Sequence, residues 1–245
     1  MMGKYWFKLV LLLVCTSTCF HVTVHAQFGV RLKYNSNNFN NWENTLLQRF
    51  SIDEKLFANG YEVGLDYWFK LKKRRIEFMP ELSYSKSATT FNNPSIDRFN
   101  INIFSFNFHS QIYALDLEGD CDCPTFSKQG PSINKGLFFH FTPGLGYFHA
   151  TGTPQAILSS LPIPNDTANG LIFKAGAGLG LDIGISNLFT VTPIISYFFH
   201  SPMIWQQLAV RENLPVDSKN NLGIIQFTLR MGFRPDYKGY GKRSR

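Results

Sequence analysis

The sequence predicts an all-β fold, an eight-stranded antiparallel up-and-down transmembrane β-barrel, on three observations. Apolar and polar residues alternate with a period of two in eight segments, which is the spacing of a strand with one apolar face. No segment beyond residue 26 is long and apolar enough to be a membrane helix. The polar face of the eight segments collects glycines as well as charges, as the crowded interior of a narrow barrel does.

The first residues of the chain have the features of an export signal. Lys4 and Lys8 form a short positive region before an apolar run, Leu9–Val14, and Val24-His25-Ala26 supplies the small residues of a cleavage site. Thr16 and its polar neighbours make the run too short to span a membrane. The predicted divisions are a cleaved signal peptide (1–26), the barrel (27–234) and a short basic tail (235–245).

Composition excludes several other classes of protein. Aromatic residues make up 16% of the chain, which is too many for a disordered segment. The formal net charge of +7 includes Lys4 and Lys8, which lie in the segment expected to be removed. The mature chain is therefore only moderately basic, and no nucleic-acid partner is predicted.

The eight predicted strands are separated by turn and loop sequences. They are Phe28–Tyr34, Tyr61–Phe69, Ile76–Tyr84, Phe99–Tyr113, Leu137–His149, Leu171–Ile183, Phe189–Phe199 and Leu222–Phe233. An even number of strands is typical of bacterial outer-membrane barrels. In the fourth strand the apolar phase shifts between Ile103 and Phe104, which predicts a β-bulge at that point.

The glycines indicate which face of the sheet points inward. Alternation alone fits a soluble lipocalin-like barrel as well as a membrane barrel. Glycine weakens a strand, so a solvent-exposed face has no reason to collect it. The polar face does collect it, at Gly64, Gly144, Gly146, Gly176, Gly178, Gly180 and Gly232. We therefore expect the apolar face to meet lipid, with a rim of tyrosines (Tyr34, Tyr84, Tyr147, Tyr197) and a rim of phenylalanines (Phe28, Phe69, Phe189, Phe233).

The polar face also carries charges of nearly balanced sign, which we call the lumen charge network. Its four cations are Arg31, Lys33, Lys174 and Arg230, and its five anions are Glu62, Asp66, Glu77, Glu81 and Asp182. Unpaired charges in a narrow tube would each cost several kcal/mol. We therefore expect ion pairs that close the lumen to free diffusion; the alternatives are a gated pore and a catalytic carboxylate pair.

The glycine-rich strand leaves a second question about the lumen. Glycines from Gly144 to Gly180 predict either a hollow in the outer half of the barrel or space filled by Phe148, Phe198 or Trp68, and close packing favours filling. The spacing of Gly176, Gly178 and Gly180 is not that of a nucleotide-binding loop, because no helix follows the strand. No cofactor is predicted.

Loop lengths predict the orientation of the barrel. The long polar connections are Asn35–Asn59, Lys86–Arg98, Ala150–Gly170 and Ser201–Asn221, and they alternate with the short turns Lys70–Arg75 and Gly184–Leu188. Outer-membrane barrels have long outer loops and short periplasmic turns, so both termini are expected in the periplasm. Asp116–Gly136 breaks the rule as a long periplasmic connection. The cationic turn Lys70–Arg75 and the basic tail are expected to be solvated, with contact to an acidic periplasmic partner as the alternative.

Cys121 and Cys123 lie in that long connection. Exported proteins live where thiols oxidise, so a disulfide is predicted, formed locally or between molecules. A bridge between residues two apart requires a tight turn and would be strained. A metal site and no special role are the alternatives.

Motifs for catalysis are absent from the sequence. It contains no Gly-x-Ser-x-Gly and no His-Glu-x-x-His, so no catalytic or metal-binding residues are assigned and the protein is expected not to be an enzyme. His140 and His109 are expected to face the lumen, and a hydrogen-bonded interior histidine is the interpretation we favour for His140.

Three segments resemble the PorT-like family of small outer-membrane β-barrel proteins. They are Phe78–Ser85, Thr142–Tyr147 and the Gly-rich stretch Ala175–Asp182, taken in this order along the chain. The resemblance spans nearly the whole mature chain and implies an eight-stranded barrel. Some members of the family are linked to protein secretion through the outer membrane. The long cysteine-containing connection departs from the family's short turn at this place.

These observations lead to one functional expectation and one alternative. We expect a non-enzymatic protein of the bacterial outer membrane, a structural or accessory envelope component with a link to secretion. Its partners would be outer-membrane lipid and a periplasmic or secretion-system protein. The alternative is a surface receptor or small-ligand-binding barrel that uses its outer loops and a glycine-lined lumen.

Overall fold

A computed structural model describes most of the chain beyond residue 26. The described residues are 27–44, 55–71, 74–93, 96–117, 133, 136–154, 166–186, 188–205, 219–220 and 222–233. The predicted signal peptide (1–26), Cys121 and Cys123, and the basic tail (235–245) lie outside these residues.

Eight long strands form the wall of the molecule. They are β1 (Phe28–Asn38), β2 (Asn59–Tyr67), β3 (Ile76–Asn93), β4 (Ile96–Ile112), β5 (Leu137–Pro154), β6 (Asp166–Leu181), β7 (Phe189–His200) and β8 (Gly223–Phe233). Short pieces of strand add to them at Phe69–Lys70 and Ile183–Gly184, and Met203–Ile204 pairs with Lys219–Asn220. A single 3₁₀ turn, Ala114–Asp116, follows β4.

The sheet closes on itself. Each strand pairs antiparallel with the next, and β8 returns to pair with β1 from Phe28↔Phe233 to Asn38↔Gly223. Closure leaves no edge strand with unpaired backbone groups, which a sheet inside a membrane requires. The predicted fold class, an eight-stranded antiparallel transmembrane barrel, is confirmed. Among the described residues, no helix is long and apolar enough to cross a membrane.

The side chains are arranged inside out relative to a soluble barrel. Leu65 is 65% exposed, whereas Glu81 is 1% and Arg230 4% exposed. Along β1 exposed and buried residues alternate from Phe28 to Asn35. The apolar face therefore points outward and the charged face points inward. This is the arrangement expected of a barrel that is surrounded by lipid and has a packed interior.

The predicted bulge in β4 is wrong. The pairing of β3 with β4 runs without a shift from Ile76↔Ile112 to Thr90↔Arg98, past Ile103 and Phe104. The apolar phase changes there because Ile103 belongs to an apolar part of the inner face, while Phe104 continues the lipid-facing side. Both faces of β4 are apolar at this height, so the alternation of apolar and polar residues is interrupted although the strand pairing is continuous.

Strand also replaces most of one predicted loop and the two ends of another. β3 and β4 extend through most of Lys86–Arg98, and β5 and β6 through the ends of Ala150–Gly170. These extensions lack alternating hydrophobicity, because they rise beyond the Tyr rim. As a result β3 to β6 contain 16 to 18 residues each and form a tall side of the wall, opposite the shorter β1, β2, β7 and β8.

A cluster of apolar residues fills the mouth at the end away from Phe28 and Phe233. We call this end the capped end and the other the terminal end. The tall wall contributes inward-facing Phe99, Ile101, Ile103, Phe148, Ala150 and Ile172, and the connections after β1 and β7 contribute Phe39, Trp42, Leu56, Phe57, Met203 and Trp205. The ring of Trp205 lies 5.4 Å from that of Trp42 and 5.3 Å from that of Phe99. The two connections therefore fold over the mouth and bury the apolar inner face of the wall.

Candidate functional site

All nine residues of the lumen charge network lie inside the barrel. The most exposed of them, Lys174, is 7% exposed. Eight of them occupy inward positions in the two-residue period of their strands, and Asp182 continues the inward phase of β6 one residue beyond its end. The residues form three groups along the axis.

The first group is centred on Asp66. Arg230 donates from Nη2 to Asp66 Oδ1 at 2.7 Å and from Nε to Oδ2 at 2.8 Å, a bidentate pair. Arg31 Nε donates to the same Oδ2 at 2.7 Å. One carboxylate thus neutralises part of the charge of two guanidinium groups, and Arg31 reaches a second carboxylate, Glu81, at 3.3 Å.

The second group lies nearer the capped end. Lys33 Nζ is 2.7 Å from Glu62 Oε1 and 2.5 Å from Glu81 Oε1, so one ammonium bridges two carboxylates. Lys174 Nζ approaches Glu62 Oε1 at 3.9 Å. Gln226 donates to Asn35 Oδ1 at 2.8 Å and adds a neutral layer. Every distance in this group favours paired charges rather than an open passage.

The third group lies at the terminal end and includes Arg75, which was expected to be solvated. The Tyr113 hydroxyl donates to Asp182 and lies 3.2 Å from Glu77 Oε2. Arg75 stacks on the Tyr113 ring, with its guanidinium carbon 4.3 Å from the centroid. Arg75 is 0% exposed, so the expectation that this turn cation is solvated is wrong. Arg75 immediately precedes β3 and continues the alternate inward positions of Glu77, Met79 and Glu81. This spacing could have predicted that Arg75 points into the barrel.

Arg75 also changes the charge balance. With it, the buried cations among the described residues number five, equal to the five buried anions. Equal numbers are what a closed, poorly hydrated tube requires, because an excess charge would lack a partner.

The histidines form a chain of hydrogen bonds across the lumen. His109 Nε2 lies 2.5 Å from Glu81 Oε2, and His109 Nδ1 lies 2.9 Å from His140 Nε2. His140 Nδ1 is 3.0 Å from Ser196 Oγ, and Thr142 bonds both rings. The hydrogen-bonded interior position expected for His140 is observed.

Aromatic rings occupy the space beside several of the inward glycines. A Cβ at Gly176 would come within 2.5 Å of the Phe198 ring, and one at Gly170 within 3.0 Å of the Phe148 ring. Trp68 is 6% exposed and donates to Glu77 Oε2 at 2.7 Å. Of the two alternatives for these glycines, the geometry favours filling.

Comparisons with known proteins return small membrane barrels. Neisserial surface protein A is 8% identical with a TM-score of 0.43, and the match covers 86% of this chain and 97% of that one. Ail, the attachment invasion locus protein of Yersinia pestis, is 12% identical with a TM-score of 0.43, covering 85% and 97%. The N-terminal β-barrel domain of Pseudomonas aeruginosa OprF is 12% identical with a TM-score of 0.41, covering 85% and 99%.

These similarities carry no argument about function, because all three TM-scores are below 0.5. No protein-family model and no curated protein matches the sequence. The barrel assignment therefore rests on the strand pairing of this chain. The resemblance to the PorT-like family stays a prediction.

The described geometry does not test the disulfide or the metal site that was its alternative. The disulfide of Cys121 and Cys123 falls outside the described residues and stays a prediction. Among the residues that the structure does describe, no three His, Cys, Asp or Glu side chains are grouped to hold a metal ion.

Proposed function

We propose that this chain is a non-enzymatic protein of the bacterial outer membrane with a closed lumen, and that it serves as a structural or accessory component of the envelope. Both termini lie in the periplasm and the capped end faces outward. The proposal is supported by the closed sheet with its apolar exterior and by the long connections after β1, β5 and β7 at the capped end.

The observation that carries the proposal is the packing of the lumen. Ion pairs and hydrogen bonds hold each charged group together, Glu81 joins the first group to the second, and the apolar cluster lies above them. The chain from Ser196 to Glu81 contains a hydroxyl, imidazoles and a carboxylate, but Ser196 is 3% exposed and faces packed side chains. The burial of this hydroxyl supports the non-enzymatic proposal.

Electrical recording tests the closed lumen. The purified mature protein, reconstituted in planar lipid bilayers, is expected to produce no stepwise conductance, because paired side chains occupy the tube. A general porin inserted by the same procedure serves as the positive control. Stable single-channel steps from the wild-type protein would contradict the proposal.

The resemblance to the PorT-like family adds a finer proposal, an accessory role in protein secretion. Gentle solubilisation of envelopes and capture through a tag on the C-terminal tail is expected to recover secretion-system proteins in stoichiometric amounts. Another tagged eight-stranded barrel, captured in parallel, is the control for nonspecific recovery. If no stoichiometric partner is recovered, the secretion role is wrong.

A second candidate function, a small-ligand-binding barrel, is favoured by one observation. A pocket of about 310 Å³ opens at the capped end, beside the connection that follows β1. This volume is at the lower end of the range for small-ligand sites. The pocket lies on the outer side of the wall, not in the glycine-lined lumen.

A further inference from the structure

The pocket lies where the outer face of the barrel meets the folded connection. Strands β1, β7 and β8 form its floor with Ser36, Asn38, Tyr197 and Ile225. These residues are neighbours across the sheet, since Ser36 pairs with Ile225 and Ile225 with Tyr197. Tyr197 is 58% and Ile225 46% exposed, and both belong to the lipid-facing side of the wall.

A glycine makes room for the floor. Gly223, the first residue of β8, pairs with Asn38. A Cβ at this position would come within 2.6 Å of the Tyr197 hydroxyl oxygen. The missing side chain lets the Tyr197 hydroxyl lie over the strand. The floor therefore presents an aromatic ring and a hydroxyl side by side.

The connection between β1 and β2 supplies the roof, through Asn40, Glu43 and Lys55. Glu43 Oε1 accepts a hydrogen bond from the Leu56 amide at 2.9 Å, which ties the two halves of the connection together. Asn38 Oδ1 accepts from the Asn40 amide at 3.3 Å. The roof is thus held to the strand that forms the floor.

A strained residue fixes the returning half of the roof. Phe57 has a φ of 50°, a left-handed conformation that is uncommon for a residue with a side chain. Its amide donates to Thr89 Oγ1 at 2.7 Å, and Asn37 Nδ2 donates to its carbonyl at 2.7 Å. Such strain persists only where the surroundings impose it, and it occurs preferentially at binding sites. Here it positions the chain that carries Lys55.

The lining matches a carbohydrate. The Asn40 amide offers a donor and an acceptor together, which suits adjacent sugar hydroxyls, while the second carboxylate oxygen of Glu43 accepts and Lys55 donates. The ring of Tyr197 offers an apolar face on which the C–H side of a sugar can pack. A single ammonium and a single carboxylate make the pocket polar without a strong net charge.

The wall below the pocket matches acyl chains. Ile225 continues along β8 to Phe227 and Leu229, and these lipid-facing side chains are 50% and 42% exposed. A polar pocket that opens directly onto an apolar, lipid-facing strip suits an amphiphile rather than a soluble sugar.

We propose that this pocket binds the sugar head group of an outer-leaflet glycolipid, whose acyl chains lie along the strip from Ile225 to Leu229. The inference rests on the proposed location in the outer membrane and names the ligand class of the second candidate function. It would give the barrel a specific lipid partner on the side of β1, β7 and β8.

Native mass spectrometry of the detergent-solubilised mature protein tests this proposal. The probes are a purified short-core lipopolysaccharide and the deacylated oligosaccharide prepared from it. The pocket variant is Asn40→Leu with Lys55→Met, and the matched control is Asn169→Leu with Lys86→Met, which changes the same residue types at exposed sites on β6 and β3. Migration of unheated samples on gels verifies that each variant is folded.

We expect the wild type and the control to bind the lipopolysaccharide, and the pocket variant to bind it about tenfold more weakly or worse, since hydrogen bonds to charged and polar groups are lost. Equal binding by the two variants, or no binding by the wild type, would overturn the proposal. Equal affinity for the deacylated oligosaccharide would also overturn it, because the ligand would then be a soluble sugar.

The recording and the binding experiment fail independently. If the wild-type protein neither binds the glycolipid nor conducts, the closed-lumen proposal stands and this inference is wrong. If the wild-type protein binds the glycolipid and also conducts, the closed-lumen proposal is wrong and this inference stands.

Discussion

Replacing Asp66 by alanine is expected to lower the free energy of unfolding by about 3–5 kcal/mol, the usual effect of removing one partner from a buried ion pair. Asp66 accepts hydrogen bonds from both Arg31 and Arg230, and its side chain is fully buried. The substitution leaves two guanidinium groups inside the barrel with one carboxylate, Glu81, within ion-pair distance of Arg31. The measurement is reversible urea unfolding in lipid vesicles, followed by the fluorescence of the buried tryptophans.

Two further variants make this result interpretable. Asn169→Ala changes an exposed side chain on β6 and is expected to alter stability by less than about 0.5 kcal/mol. Asp66→Asn keeps the shape of the side chain and can accept one hydrogen bond, so its stability should lie below that of the wild type and above that of the alanine variant. It gives a measurable loss even if the alanine variant fails to fold. A loss of less than about 1 kcal/mol for Asp66→Ala would show that the charge network does not stabilise the barrel.

The inner face of the barrel could be predicted from the sequence because it follows a local rule. A charged residue in the polar phase of a strand, such as Glu81 or Arg230, points inward whatever its distant neighbours are. The same phase extends one step before β3 to Arg75, which we placed in solvent because the turn around it is rich in cations. Burial of that residue depends on Tyr113, which lies far away in sequence.

The capped end could not be predicted in the same way. Phe39 and Trp42 occur in an Asn-rich connection with no strand period, and nothing local indicates that they cover Phe99 and Phe148. That contact exists only because β3 to β6 rise above β1 and β8. The difference in strand length is set by how the strands pair around the barrel, and the hydrophobic period of a single strand carries no information about that pairing.

The outer face provides the second large expected effect. Leu82 lies on β3 between the two aromatic rims, pairs with Leu65 and Phe106, and is 69% exposed. An arginine near the middle of a bilayer costs a transmembrane barrel about 2–4 kcal/mol, and the cost falls toward the interfaces. Leu82→Arg should therefore destabilise the protein by that amount, although it enters an exposed position.

Ala88 is the matched control on the same strand. It is six residues farther along β3, is exposed on the same face and lies beyond Tyr84 of the Tyr rim. Ala88→Arg is expected to cost less than about 1 kcal/mol, because the guanidinium remains in the head-group region or in water. The pair separates the effect of lipid from the effect of placing arginine in a strand.

The measurement that most directly tests the inside-out arrangement is the difference in unfolding free energy between Leu82→Arg and Ala88→Arg in lipid vesicles. A difference of about 2 kcal/mol or more, with Leu82→Arg the less stable, is the predicted result. If both arginines are tolerated equally, the apolar face does not contact acyl chains, and the account of this protein as a membrane barrel is contradicted.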